Sequence, residues 1–494
     1  MLSSLLRSDA SLALAMDQYE LTMAYAFWKN AMDQREAAFH MFFRKNPFDG
    51  GFVVSAGLGT LVELLENFRF STADLDYLNT LTDRAGLPLF EGGFLDHLAK
   101  LRFSCDVAAV PEGTVVFPNA PLVRVQGPIL QAQLIESLLL NTLNFQSLIA
   151  TKAARMCIAA QGDPVVDFGL RRAQGMDGAL SASRACYIGG CTGTSNVLAG
   201  KLLGIPVLGT HAHSWVMSFD DELDAFRAFA ATMPNNCVFL VDTYGTLSGV
   251  RNAIAMGHEL RASGHEMTGI RLDSGDLAYF SKTARAMLDE AGFENAAIMA
   301  SNELDEYVIA SLKRQGAAIN VWGVGTKLIT AHEDPALSGV YKLTAIRAAH
   351  HGPWSYKLKI SEQKAKMSVP GLLQVHRFRD SMGKFMADAV ATVDEDPNQI
   401  ERIIDPNDNT NRKRLQRAVA SEALLQPLLQ GGQRVAELPN LDTIRARLVE
   451  QLDHLDESHL RFEYPHIYPV GLSPTLNQQR DEMITRERER LNEG

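Results

Sequence analysis

The chain has 494 residues, 46% hydrophobic and 21% charged, a composition that excludes a disordered or fibrous protein and allows two or three globular domains. Its 58 acidic residues against 47 basic ones give a net charge of -11, which argues against a broad basic surface for nucleic acid but leaves room for a local cationic pocket that takes small anions. No apolar run reaches the length of a membrane span, residues 12–16 are too short for a signal segment, and five cysteines without CxxC spacing suit a reducing, cytosolic setting with neither disulfides nor structural zinc.

Leu58, Leu61, Val62, Leu65 and Phe68 recur at i, i+3, i+4, i+7 and i+10, an apolar stripe that predicts a helix. Ser71 and Asp74, in the run Ser-Thr-Ala-Asp, form a capping-box signature that opens a second helix containing Leu75 and Leu78. Short strands are predicted at 107–110 and 115–117, so the N-terminal region reads as α+β. Between 164 and 345, β-branched runs at 164–168, 205–208, 238–241, 269–272, 296–299, 317–322 and 340–343 alternate with helical stretches, the pattern of βα units on a parallel sheet. This run of about 180 residues falls short of the roughly 250 of a full eight-unit barrel, and an irregular or incomplete barrel is expected. Beyond 350 the chain is more polar, with a turn at 405–409 and a helix at 441–455, and it either completes the first domain or decorates the barrel. The expected organisation is an N-terminal α+β domain over 1–140, an irregular α/β barrel over 141–350 and a C-terminal extension over 351–494.

The ends of the predicted strands carry the unusual residues, and in βα architectures those ends form the reactive face. Gly323-Val324-Gly325-Thr326 lets backbone N–H groups approach a phosphate, although a plain β-turn explains it equally well. Asp273-Ser274-Gly275-Asp276 places two carboxylates around a tight turn, suited to sugar hydroxyls or a metal-bound diphosphate; alternatively Asp276 merely caps the next helix. Arg271 adds positive charge to the same element, and Phe168 stands beside Arg171 and Arg172, a ring cover next to anion-binding guanidiniums. His211 and His213 invite a metal reading but lack a third ligand. An acid/base or nucleophilic histidine oriented by Asp242 is the stronger use, with a core histidine as the bland alternative.

Taken in order, Asp17-Gln18-Tyr19-Glu20-Leu21-Thr22-Met23, Phe42-Phe43-Arg44 with Pro47-Phe48, Asp167-Phe168-Gly169-Leu170-Arg171-Arg172-Ala173-Gln174-Gly175, Thr194-Ser195-Asn196, Gly209-Thr210 with Ala212-His213-Ser214, Asp273-Ser274-Gly275-Asp276-Leu277 and Gly323-Val324-Gly325-Thr326 resemble the nicotinate phosphoribosyltransferases over nearly the whole chain. The resemblance implies a type II phosphoribosyltransferase fold, an irregular (β/α) barrel with an α+β domain, in a head-to-tail homodimer with shared sites. It implies the conversion of nicotinate and phosphoribosyl pyrophosphate to nicotinate mononucleotide and pyrophosphate, coupled to ATP hydrolysis with Mg²⁺, the entry step of NAD salvage. Phe168 and Tyr19, the latter from the partner subunit, would sandwich the pyridine ring, and Arg171 would contact its carboxylate or the phosphoribosyl group. Arg271 and Asp273 would hold the ribose and its phosphates, with Thr210 among the substrate-binding residues. Asn302, Gly323, Gly325 and Thr326 would line the 5'-phosphate pocket, with Arg44 nearby. His213 matches the histidine phosphorylated by ATP, with Asp242 as partner for its ring, and no metal site made of protein ligands alone is expected. Ser195 stands where nicotinamide phosphoribosyltransferases carry an Asp, which favours nicotinate over nicotinamide. Two alternatives are nicotinamide use and a catalytically silent phosphosugar-binding barrel, the second disfavoured by the presence of both His213 and Asp273.

Overall fold

The apolar runs of the middle of the chain become the buried strands of one parallel sheet. The structure, a computed structural model, describes residues 12–348, 352–361 and 367–492, and the chain divides into two units, one of residues 149–335 and one formed by the residues before and after it.

In the unit of residues 149–335 six parallel strands lie in the order Gly193–Thr194, Val165–Asp167, Val321–Val324, Ala297–Ala300, Gly269–Leu272 and Val238–Leu240. Ile270, Leu272, Ile298, Ala300, Trp322 and Val324 are all at 0% exposure, as expected of strands that helices cover. The helices Met176–Ile188, Thr246–Ala262, Leu277–Glu290 and Glu306–Arg314 make the crossovers. Asp276 and Asp305 cap the last two by accepting from the N–H groups of Tyr279 and Val308. The two edge strands are joined irregularly. Val207 bridges to Thr194, and the N–H of Leu240 donates at 3.3 Å to the His211 ring rather than to a backbone carbonyl. This arrangement fits the expected irregular α/β barrel, with the Val207 bridge and the His211 side chain at its two edges.

Two strand expectations change. Residues 205–208 contribute a single bridge and no strand. The run at 340–343 belongs to the strand Gly339–Arg347, which pairs antiparallel with Glu36–Phe43 in the other unit. Alternating β-branched residues fit either sheet, and the pairing partner lies some 300 residues away in sequence.

The other unit holds an antiparallel seven-stranded sheet in the order Ser355–Tyr356, Gly339–Arg347, Glu36–Phe43, Val123–Pro128, Asp106–Ala109, Gln426–Gln430 and Gln433–Arg434. A second, six-stranded sheet is built wholly from residues 373–472. Its centre is the Arg377–Asp388 pair, 0% exposed, bidentate at 2.9 and 2.7 Å, with the Tyr468 hydroxyl donating to Asp388 at 3.0 Å. The predicted helices appear at Leu58–Glu66, Thr72–Thr80 and Leu441–His454, the second with both capping-box hydrogen bonds of Ser71 and Asp74. Among the described residues no helix is long and apolar enough to cross a membrane.

Candidate active site

Because the six strands run parallel, their C-terminal ends open on one edge, and the polar residues that follow them meet there. Asp167, at 0% exposure, organises the first part. Its Oδ1 accepts from the Gly169 N–H at 2.8 Å, and its Oδ2 accepts from the hydroxyls of Ser183 and Thr194 at 2.9 and 2.8 Å. Burial raises its pKa against these three hydrogen bonds. Its carbonyl accepts from the Ser195 N–H at 2.8 Å, so one residue fixes both the Phe168–Gly169 turn and the Ser195 loop. The Phe168 N–H donates to Val324 at 2.7 Å, and the ring lies over Gly323, where a Cβ would stand 2.7 Å from a ring carbon. Glycine is required there for the ring to keep its place.

Arg271 links the ends of three strands with the loop that carries Thr210. Its guanidinium lies 5.4 Å from the Phe168 ring centroid and donates to Ser301 Oγ, Thr210 Oγ1 and Asp273 Oδ1, each at 2.9 Å. Burial pushes the Asp273 carboxyl upward, but the Ser301 hydroxyl and Arg271 outweigh it and hold the group below the usual carboxylate range. Asp242 Oδ2 accepts from the Asp273 N–H at 2.8 Å and the Ser274 hydroxyl at 2.6 Å, while its Oδ1 is buried without a partner.

His213, with a side chain 39% exposed, stands in front of both carboxylates. Its Nε2 is 3.6 Å from Asp273 Oδ2 and 3.9 Å from Asp242 Oδ1, beyond hydrogen-bond distance, whereas Nδ1 lies 3.1 Å from Thr243 Oγ1. The expected Asp242 contact is therefore a facing charge rather than a hydrogen bond: Oδ2 holds the Asp273 loop, and Oδ1, which faces the ring, stands 3.9 Å from it. His211 has the bland role: its ring is packed among Phe226, Phe229 and Phe239, and burial pushes its pKa down to about 4. As the acceptor from Leu240, its Nε2 carries no proton.

On the far side of Arg271, Asn302 (φ 88°) and Glu303 (φ 37°) hold left-handed conformations in the loop after Ala297–Ala300. Such backbone strain collects at binding loops. This loop is tied to the Gly323–Thr326 turn by the Thr326–Glu303 contact at 3.4 Å and the Lys327–Asp305 ion pair at 2.5 Å. Arg171 is exposed in the short helix Leu170–Arg172 and makes no hydrogen bond or ion pair among the described residues. Thus Phe168, Ser195, Asp242, Arg271, Asp273, Asn302, Gly323, Gly325 and Thr326 sit at strand ends of one unit, and Thr210 and His213 in the irregular segment that follows Val207 in the same unit. Tyr19, 45% exposed on the helix Gln18–Lys29, and Arg44, just after Glu36–Phe43, belong to the other.

Sequence reasoning passed over Asp167 as an organiser, Ser301 as the bridge between Arg271 and Asp273, and Thr243 as the histidine's partner. Each adjoins a residue it had singled out, and that adjacency was the available signal. Among the described residues no group of three or more His, Cys, Asp or Glu side chains is arranged to hold a metal alone. The Asp242–Asp273 pair, with one orphaned oxygen, nevertheless suits a hard cation that completes its shell with substrate phosphates.

The sequence matches the nicotinate phosphoribosyltransferase N-terminal domain over residues 14–144, the nicotinate phosphoribosyltransferase family over 164–369 and the corresponding C-terminal domain over 373–480. The nicotinate phosphoribosyltransferase of Bacillus subtilis is 42% identical over 489 residues, 98% of each chain. The chain belongs to the nicotinate phosphoribosyltransferase family. A Mycobacterium tuberculosis family member is 41% identical across 94% of this chain and 92% of its own. The solved structure of human nicotinic acid phosphoribosyltransferase superimposes with a TM-score of 0.83 at 32% identity, covering 94% of this chain and 99% of that one. A nicotinate-nucleotide pyrophosphorylase from Pyrococcus furiosus shares the fold, with a TM-score of 0.68 at 22% identity over 90% of this chain and 96% of that one.

Proposed function

We propose that this chain joins nicotinate to phosphoribosyl pyrophosphate, forming nicotinate mononucleotide and pyrophosphate at the entry to NAD salvage, with ATP hydrolysis coupled through His213. The observation that carries this reading is the arrangement at the strand ends: an aromatic floor, a guanidinium and a carboxylate interlocked beside a half-exposed histidine.

In this reading Phe168 supports one face of the pyridine ring, and Tyr19 of the partner subunit in a homodimer covers the other. Arg171, exposed and uncommitted, neutralises the ring carboxylate or a phosphate. Ser195 leaves that carboxylate unopposed by negative charge. Arg271, Thr210 and Asp273 hold the ribose and diphosphate, while Asn302, Gly323, Gly325 and Thr326 take the 5'-phosphate. The pyridine nitrogen attacks ribose C1 as the C1–O bond to pyrophosphate breaks, and the electron pair leaves with the diphosphate. Charge develops on C1 and on the leaving group, so positioning and fixed dipoles supply the acceleration, with no covalent protein nucleophile in this step. Magnesium, held by Asp242 and Asp273 together with phosphate oxygens, would neutralise part of the diphosphate charge.

His213 serves the coupling. A ring nitrogen takes the γ-phosphoryl group of ATP, ADP leaves, and water later releases phosphate and restores the ring. The added negative charge beside Asp242 and Asp273 alters how the site holds the diphosphate.

The test is mononucleotide formation from nicotinate or nicotinamide with phosphoribosyl pyrophosphate and magnesium. Nicotinate turnover supports the proposal. Turnover of nicotinamide alone replaces the substrate, and turnover of neither favours a barrel that only binds phosphosugars.

A further inference from the structure

Beyond the residues assigned above, we propose that Thr243 is a positioning residue that fixes the ring of His213 for phosphorylation. The inference rests on the proposed coupling through His213 and deepens it. Among the described residues the ring's one hydrogen-bonding partner is the Thr243 hydroxyl, 3.1 Å from Nδ1. The two carboxylates that face Nε2 stand off at 3.6 and 3.9 Å, and their remaining hydrogen bonds hold each other, through the Asp273 N–H, and Arg271 and Ser301. The backbone gives the ring little help. His213 opens the four-residue helix His213–Val216, so χ1 and χ2 are set by what the ring meets in front of it.

A rotation of 180° about χ2 exchanges Nδ1 with Cδ2 and Nε2 with Cε1 at almost no cost in ring volume, yet it would present a carbon where a nitrogen should face the phosphoryl donor. Thr243 breaks that symmetry. Its hydroxyl accepts from an Nδ1–H or donates to an Nδ1 lone pair, so it keeps hold of the ring in either tautomer, which a carboxylate cannot do. Thr243 lies in the bend between Asp242, whose side chain is 1% exposed and doubly hydrogen-bonded, and Gly245, the N-cap of the helix Thr246–Ala262. Its β-branch further restricts the hydroxyl to few rotamers.

The experiment uses the full-length enzyme and compares wild type, Thr243→Val and Thr243→Ser. The valine keeps the shape and deletes the hydroxyl, and the serine restores it. Three quantities are read: acid-labile ³²P label on His213 from γ-labelled ATP, the ratio of ATP-coupled to ATP-independent nicotinate turnover, and the melting temperature. Thr243→Val is expected to lower the label and the ratio on the order of tenfold or more, the scale of a lost orientation, and Thr243→Ser to recover most of both. A packing defect alone would lower both turnover rates together, leave the ratio intact and show no rescue by serine. Label and ratio in Thr243→Val within twofold of wild type, or a serine variant no better than the valine one at equal melting temperature, overturn the proposal. Should the valine variant not fold, Thr243→Ala against Thr243→Ser gives the same comparison. A wild-type enzyme that makes mononucleotide but takes no label and shows no ATP stimulation overturns the coupling through His213 as well, which separates the two failures.

Discussion

Replacing Gly323 by alanine puts a methyl group 2.7 and 2.8 Å from two carbons of the Phe168 ring. Ordinary van der Waals contact begins at 3.4 Å, so the ring must retreat by about 0.7 Å, the difference between 3.4 and 2.7. It has little room to do so, because its backbone N–H is tied to Val324 and its ring faces the Arg271 guanidinium. Overpacking of this kind costs about 1–3 kcal/mol, which at about 1.4 kcal/mol per decade becomes a loss of roughly 5- to 150-fold in kcat/KM for nicotinate. Gly325→Ala is the control, since its Cβ meets nothing closer than 3.5 Å and its effect on nicotinate should stay within about threefold. Steady-state kinetics with each substrate varied in turn, at matched melting temperatures, decide the matter. A Gly323→Ala enzyme with unchanged kcat/KM for nicotinate, or one that loses equally toward both substrates, would refute the placement of the pyridine ring on Phe168.

Ser195→Asp should lower kcat/KM for nicotinate at least about tenfold by placing like charges together, with nicotinamide affected less; equal losses for both would count against Ser195 as a specificity residue. Burial raises the Glu20 carboxyl from 4.5 to about 7 against the hydrogen bonds from Ser137, so its contribution to stability is complete below pH 4.5 and lost as pH rises through 7. Thermal melting from pH 4.5 to 8 should show wild type losing stability relative to Glu20→Gln, and a constant difference between the two would exclude the shift. Asp388→Ala strands the fully buried Arg377 charge and should cost about 3–5 kcal/mol in denaturant unfolding, whereas a loss below about 1 kcal/mol would mean that water reaches the pair.

Local features carried far in the sequence. The stripe and the Ser71–Asp74 capping box are short-range physics, and they appear in the helices Leu58–Glu66 and Thr72–Thr80, with only Phe68 of the stripe falling beyond the first helix. The buried runs that became Val165–Asp167, Val238–Leu240 and Gly269–Leu272 were equally legible, with their polar ends pointing to the site. What periodicity does not encode is partner choice. Gly339–Arg347 reads like one more barrel strand, yet pairs with Glu36–Phe43, and 205–208 gives a single bridge, from Val207 to Thr194. The same limit holds within the site. Chain order brings Asp242 and Thr243 equally near His213, and only rotamers decide that the hydroxyl rather than the carboxylate bonds the ring. Roles for individual residues came from the family resemblance, since a carboxylate at a strand end does not by itself name its ligand.

The central claim is a nicotinate-specific phosphoribosyl transfer driven by ATP through His213. Its most direct test is the initial rate of nicotinate mononucleotide formation with and without ATP, in wild type and His213→Ala. ATP should stimulate the wild type and leave the variant unstimulated, with a slow ATP-independent rate retained in the variant. Stimulation that survives in His213→Ala would contradict it.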